Sequence, residues 1–347
     1  MKATIPMSLA LLLFCTLFSI ENASGQPSAQ DEASIIKASN EDTNSYTSGL
    51  AFTVQSTAIN TKYSEFSSGT FRNKLILVSS KKIGGLGNGI DKHTNEPYTE
   101  LFCLDIDGEN NVSNPLLFSR ILNTKHNEGQ VAFSPNERFI YYTRSQRDNS
   151  ENYQLYKATL QLNSHGNWVN HQQLTFNTNY SVEHPFVSAD GKTLYFASNK
   201  PGGLGGYDIY AAAIAKNGSI GMPKNLGDAV NTHRDEIYPS SSIDGKQLYF
   251  SSNGHDSLGG FDIMVSSHVY GTYIYPINLG ETVNSSFDEV AFRFLNTNQG
   301  YFSSNRFGGK GSFDLYKFNA EAIAPDLEDS VVNTNTKDKL KFNKEKK

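Results

Sequence analysis

The stretch Asn231-Thr232-His233-Arg234-Asp235-Glu236-Ile237-Tyr238-Pro239-Ser240-Ser241-Ser242-Ile243-Asp244-Gly245-Lys246-Gln247-Leu248-Tyr249-Phe250-Ser251-Ser252-Asn253 decides the fold, because it is one of five copies of a cassette. Each copy opens with Asn-Thr or Asn-Ser and reaches a Glu five or six residues later. The openings are Asn60-Thr61 to Glu65, Asn123-Thr124 to Glu128, Asn177-Thr178 to Glu183, Asn231-Thr232 to Glu236 and Asn284-Ser285 to Glu289, spaced by 63, 54, 54 and 53 residues. A fixed period of this length marks a repeat architecture whose units are single supersecondary blocks. In the copy quoted, Glu236 to Ser240 and Lys246 to Ser252 read as strands, joined by Asp244-Gly245, which supplies the φ > 0 positions of a tight antiparallel hairpin. Asp190-Gly191 and Asn136-Glu137 stand at the same place in two other copies. A Gly-rich loop follows, then a third strand from Phe261 to Val265 and a fourth from Thr272 to Asn278.

Four-stranded antiparallel units repeated radially make a β-propeller, so the expected fold is all-β with five blades. The fifth unit supplies strands at Glu289 to Phe294, Gly300 to Ser304 and Phe313 to Lys317, and then the sequence turns polar. An orphan apolar run, Leu50-Ala51-Phe52-Thr53-Val54, precedes the first cassette where other units carry their fourth strand. The ring is therefore expected to close by this N-terminal strand completing the C-terminal blade, which removes two open sheet edges. Antiparallel alternation puts the Asn-Thr loops and the Gly-rich loops on one face and the tight turns on the other. The longest insertion, Lys81 to Tyr98, falls on the loop-rich face, where binding residues on a rigid scaffold are expected.

Among 347 residues there are 22 Phe and 18 Tyr, with a net charge of −5 and no basic stripe through the repeats, which argues against a nucleic-acid partner. Lys2, the apolar run Ile5 to Phe18 and Ala23-Ser24-Gly25 read as a cleavable export signal over 1–25, too short to be a spanning helix. Cys15 is preceded by Phe14 rather than the small residue a lipoprotein site favours. Cys103 then stands alone and reads as a structural thiol, with no internal disulfide. Residues 26–47 read as a polar flexible leader, 48–320 as the propeller, and 321–347 as a Lys-rich solvated tail.

Pro185-Phe186-Val187-Ser188-Ala189-Asp190-Gly191-Lys192 leading to Tyr195-Phe196-Ala197-Ser198-Asn199, and the matching residues from Tyr238-Pro239 to Asn253, resemble the WD40-like repeats of the TolB propeller family. The segments Gly203-Leu204-Gly205-Gly206-Tyr207-Asp208 and Leu258-Gly259-Gly260-Phe261-Asp262 are similar to the variant found in Bacteroidetes envelope proteins, including components linked to gliding and type IX secretion. The resemblance spans about 48 to 320, strongest in the third to fifth units. It implies a periplasmic or cell-surface interaction module, monomeric as a propeller, with no cofactor. Neither the helical repeats nor the peptidoglycan-binding domain that such proteins often carry is recognisable, so wall anchoring is not implied.

Two sets of side chains are candidate sites. Glu65, Glu128, Glu183, Glu236 and Glu289 start the innermost strands and stand either as an axial ring attracting cations or basic peptide groups, or as acceptors that bond the Asn-Thr loops and join blades. Tyr63, His126, Tyr180, Arg234 and Phe287, three residues after each cassette Asn, form either an aromatic and cationic rim for a sugar or peptide, or packing over neighbouring blades. Asp208, Asp262 and Asp314 are expected to cap amides of the Gly-rich loops. His126, His184 and His233 lack zinc spacing, and the glycines do not form a phosphate loop, so no metal or nucleotide is expected. The function expected is an exported, non-catalytic protein- or glycan-binding scaffold of the cell envelope. The alternative is a five-bladed glycoside hydrolase using axial carboxylates, which requires acids unique to particular blades.

Overall fold

In the computed structural model, residues 48–82, 89–147, 149–164, 166–174 and 179–323 are described. The export signal, Cys15, the leader, Asn177-Thr178, most of the Gly84 to Gly89 cluster and nearly all of the Lys-rich tail lie outside them. Strand β1 (Leu50–Ser56) precedes the first blade, which is built from β2 (Glu65–Phe71), β3 (Lys74–Ser79), β4 (Glu100–Ile106) and β5 (Val112–Leu117). The second blade holds β6 (Glu128–Phe133), β7 (Phe139–Ser145), β8 (Tyr153–Leu160) and β9 (Trp168–Gln173). The third holds β10 (Val182–Val187), β11 (Thr193–Ser198), β12 (Asp208–Ala213) and the short β13 (Lys224–Asn225). The fourth holds β14 (Glu236–Ser241), β15 (Gln247–Ser252), β16 (Asp262–Val269), β17 (Thr272–Tyr273) and β18 (Ile277–Asn278). The fifth runs β19 (Glu289–Phe294), β20 (Gln299–Ser304), β21 (Asp314–Ala322) and then β1.

This is the five-bladed antiparallel propeller the period calls for, closed as the orphan strand requires. β1 pairs with β21 from Leu50↔Ala322 to Ser56↔Tyr316. No helix occurs among the described residues, and none there is long and apolar enough to cross a membrane. The expected outer strand of the fourth blade, Thr272 to Asn278, is broken into β17 and β18. Pro276 lies in the break and has no N–H to give the ladder, so the strand bonds β16 only on either side of it.

Apolar side chains on alternate strand positions fill the space between neighbouring blades. Phe292 stacks on Phe318 at 4.3 Å and on Tyr249 at 5.0 Å, joining the fifth blade to the fourth. Trp168, Phe71 and Phe133 gather between the first and second, with Phe71 5.5 Å from Trp168 and 5.1 Å from Phe133. Serines weld the inner strands: Ser67 Oγ donates to Ala291 O at 2.6 Å, Ser68 Oγ to Val131 O at 3.1 Å and Ser240 Oγ to Phe292 O at 2.6 Å. The tight turns between the first two strands of a blade obey the hairpin reading, with φ of 71° at both Gly191 and Gly245 and 54° at Glu137.

The cassette is the joint between blades. Asn60, Asn123, Asn231 and Asn284 each accept from one backbone N–H and donate to the carbonyl of the same residue on the preceding blade, at Leu315, Leu101, Ile209 and Ile263. Each amide side chain thus acts as one more rung of the ladder. The Gly-rich loops then lie flush on the next cassette: a Cβ on Gly205 would sit 1.9 Å from Arg234 O, and one on Gly311 1.9 Å from Tyr63 O. Asp208 caps Leu204 and Gly205 amides at 2.6 and 3.1 Å, and Asp262 and Asp314 cap the equivalent loops. These glycines are therefore demanded by close backbone approach rather than by a ligand.

Candidate functional site

Each inner strand carries a β-bulge shortly after its start, and the bulge decides which side chains turn toward the axis. Glu65, Glu128, Glu236 and Glu289 lie before the bulge and are completely buried. Each grips its own cassette loop: Thr232 N–H and Oγ1 both donate to Glu236 at 2.7 Å, and Ser285 N–H and Oγ both donate to Glu289 at 2.7 Å. Thr61 does the same for Glu65 at 3.3 and 2.5 Å, and Thr124 for Glu128. Arg144 Nε reaches Glu128 at 2.8 Å, and Arg306 Nη2 reaches Glu289 at 3.1 Å. Burial pushes the Glu65 and Glu128 carboxyls up to about 7 and raises Glu236 as well. These four carboxylates do not form an open ring; they close the joints.

Glu183 departs from them. Its cassette spacing is six residues where the others have five. In the strand ladder Val182, not Glu183, pairs with Ser198, whereas Glu236 and Glu289 pair with the corresponding Ser252 and Ser304. A slip of one residue turns a side chain to the other face of its strand. Glu183 consequently faces the axial channel, where Ser181 Oγ and Tyr207 OH both donate to its Oε1 at 2.6 Å. Its Oε2 has no hydrogen-bond partner among the described residues, the nearest cation-forming atom being His184 Nε2 at 3.7 Å. Burial raises its carboxyl pKa.

The next residue is held in a left-handed conformation, φ 53° at His184, and so is Tyr238 on the adjoining strand at φ 52°. Such a conformation costs a non-glycine residue about 1–2 kcal/mol and is kept only where surrounding packing holds it. The two rings stack at 3.6 Å with planes 25° apart. Phe66 continues the stack, 6.4 Å from Tyr238 and 5.0 Å from Phe313. Burial pushes the His184 imidazole down to about 3, so the ring is neutral, and its Nδ1 is buried without a partner.

Of these rings Phe66, Tyr238 and Phe313 form one wall of a funnel of about 410 Å³ that opens on the loop-rich face and is also bounded by Tyr153, Glu183, Asp91, His93, Glu96 and Glu151. A smaller chamber of about 90 Å³ below it shares Phe66, Thr99, Tyr153, Glu183 and Tyr238. Residues 89–98 of the long insertion supply the rim. It is folded on Asp91, whose N–H donates to Glu96 O and whose carbonyl accepts from Asn95 N–H. Asp91 also accepts from His93 N–H at 2.8 Å and from Asn127, while Glu96 accepts from Ser312 at 2.6 Å and from Ser80. Those two carboxylates are occupied in shaping the loop; Glu183 is the one deep in the funnel with an unengaged oxygen.

The five rim candidates are not brought to this funnel. Arg234 and Phe287 are exposed, and Tyr63 and His126 are half-buried, on the outer part of the loop-rich face. Tyr180 is not on a rim at all: it is 7 % exposed and packs in the core between the second and third blades. Cys103 is a half-buried free thiol on β4 whose pKa burial raises. His126, His184 and His233 form no group of metal-ligating side chains, and no such group occurs among the described residues.

No protein-family model matches the sequence, and no curated protein matches it. Solved structures similar to this chain include TolB from Acinetobacter baumannii, at 16% identity and a TM-score of 0.37, covering 75% of this chain and 54% of that one. Others are the catalytic domain of the Coprinopsis cinerea GH62 α-L-arabinofuranosidase, at 10% identity and a TM-score of 0.46 over 79% and 98% of the two chains, and a protein of unknown function from Dyadobacter fermentans, at 10% and 0.44 over 80% and 100%. The chain thus spans about half the length of the TolB structure it matches. At these identities and scores the likenesses carry no argument about activity.

Proposed function

We propose that this chain is an exported binding propeller of the bacterial cell envelope that takes a glycan in the axial funnel of its loop-rich face. The observation that carries this reading is the pairing in one funnel of the Phe313, Phe66 and Tyr238 wall with Glu183, whose Oε2 has no hydrogen-bond partner among the described residues. Aromatic side chains that wall a pocket pack against the apolar C–H groups of a sugar, and a carboxylate oxygen beside them accepts its hydroxyls. Binding is expected to show in titration calorimetry with neutral oligosaccharides of the envelope. Glu183→Gln should weaken it at least tenfold, because an ionic acceptor is worth about 1.5–3 kcal/mol. Capture of an envelope protein instead, indifferent to Glu183, would refute the glycan reading.

Glu183 also favours a second reading, since a glycosidase needs acids that break the symmetry of its scaffold. It needs two, one to donate a proton and one as nucleophile or base. Of the other acids bounding the funnel, Asp91 and Glu96 are bonded into the insertion loop and Glu151 lies at the rim against His93 Nδ1 at 3.1 Å, which supports binding over turnover. Release of reducing ends from a glycoside panel, abolished by Glu183→Gln alone, would establish the enzyme reading.

Export rests on Lys2, the run Ile5 to Phe18 and the small-residue site before Gln26. N-terminal sequencing of the mature protein should start at or near Gln26. An intact Met1, or a lipidated Cys15, would contradict it.

A further inference from the structure

At the opposite end of the axis, on the face of the tight turns, lies a cavity of about 170 Å³ lined by Thr70, Phe133, Phe186, Ser241, Arg293 and Phe294 among others. Every blade contributes to it, so it is the far mouth of the channel. Its one cation is Arg293. On β19 the bulge between Val290 and Arg293, with Ala291 at φ 57°, resets the alternation and brings Arg293 to the axis. The guanidinium lies 4.9 Å from the Phe186 ring across the channel.

The half-buried arginines elsewhere on this chain are neutralised: Arg144 pairs with Glu128 at 2.8 Å and Arg306 with Glu289 at 3.1 Å. Arg293 has neither an ion pair nor a side-chain hydrogen bond among the described residues. Burial pushes it down to about 10, which still leaves it charged at neutral pH. A partly desolvated cation held only against a ring face keeps its N–H donors unmatched, and a partner of opposite charge satisfies them best. The fork of a guanidinium fits a carboxylate with two parallel hydrogen bonds. Around it stand the hydroxyls of Thr70 and Ser241 and the apolar collar of Phe133, Phe186, Val187 and Phe294.

We propose that the turn-side mouth of the channel is a second binding site, which takes a carboxylate on Arg293 with its apolar portion against Phe133, Phe186 and Phe294. The volume admits a small aromatic or branched acid, or the last residue of a peptide presenting its C-terminal carboxylate. The site is independent of the funnel reading, since the two mouths share no residue.

The test is titration calorimetry of the mature full chain with benzoate and with benzamide, and with a peptide ending in Phe as the free acid and as the amide. Benzoate should bind and benzamide should not, and Arg293→Gln should weaken benzoate at least tenfold while Glu183→Gln leaves it unchanged. Binding of the peptide acid, more tightly than benzoate and lost in its amide, would assign a chain terminus as the ligand; benzoate binding without it would assign a free small acid. In the wild-type protein the Arg293 Nε–H resonance should shift with benzoate and not with benzamide, which keeps the test independent of how the variant folds. Equal binding of acid and amide, no binding of either acid, or benzoate affinity undiminished in a folded Arg293→Gln protein would overturn the proposal.

Discussion

A protein truncated to begin after Ser56 is expected to melt about 10 °C or more below the intact chain. The deletion removes β1, every residue of which is paired with β21. It also strips Leu50, Phe52 and Val54 from the core of the fifth blade, where Phe52 meets Phe318 edge-on at 5.8 Å and Phe292 at 6.2 Å. Three half-buried apolar side chains and a row of edge hydrogen bonds amount to roughly 5 kcal/mol. At about 2–4 °C per kcal/mol for a domain of this size, the melting temperature falls accordingly. The bared edge of β21 is then a template for another chain, so the truncated protein should also aggregate on heating. Thermal denaturation followed by circular dichroism measures both, and an unchanged melting temperature would show that the ring does not depend on this strand.

The second large effect is expected at the buried carboxylates. Glu289→Ala leaves Arg306 without its ionic partner and Ser285 and Ser304 without their acceptor, all at the joint between the fourth and fifth blades. Breaking one side of a buried pair costs about 3–5 kcal/mol, because the remaining charge stays desolvated. Glu128→Ala should cost a similar amount through Arg144. A urea midpoint that moves by less than the equivalent of about 1 kcal/mol in both variants would mean that these groups do not hold the joints.

The ring itself was legible because the features that announce it are backbone demands met within a few residues. Asp-Gly at Asp190-Gly191 and Asp244-Gly245 can be read without tertiary context, since glycine takes the φ > 0 position of such a turn at no steric cost. The orphan strand was legible by counting, one unit having lost a strand that the other terminus supplies. The channel was not legible, because its lining is set by where the bulges fall. The longer spacing before Glu183 is visible in the sequence, yet only the ladder shows that Val182 takes the place of the other glutamates. The bulges hide His184 and Tyr238, whose left-handed backbones break the period-two pattern and bring both rings to the chamber beneath the funnel. Arg293 is concealed likewise behind the bulge at Ala291. Tyr180, chosen for its offset from the cassette Asn, is drawn into the core because a large aromatic ring there fills space between two blades.

Four of the five cassette glutamates hold the ring together and one is released to the funnel. Parallel Glu→Gln replacement at Glu65, Glu128, Glu183, Glu236 and Glu289, with melting temperature and oligosaccharide affinity recorded for each, tests it most directly. Glu183→Gln should keep the melting temperature within about 2 °C of the parent, a change of under about 1 kcal/mol, and lose at least tenfold in affinity. The other four should lower the melting temperature and, where folded, bind as the parent does. Five variants alike in both quantities, or affinity lost at any of the four and kept at Glu183, would contradict it.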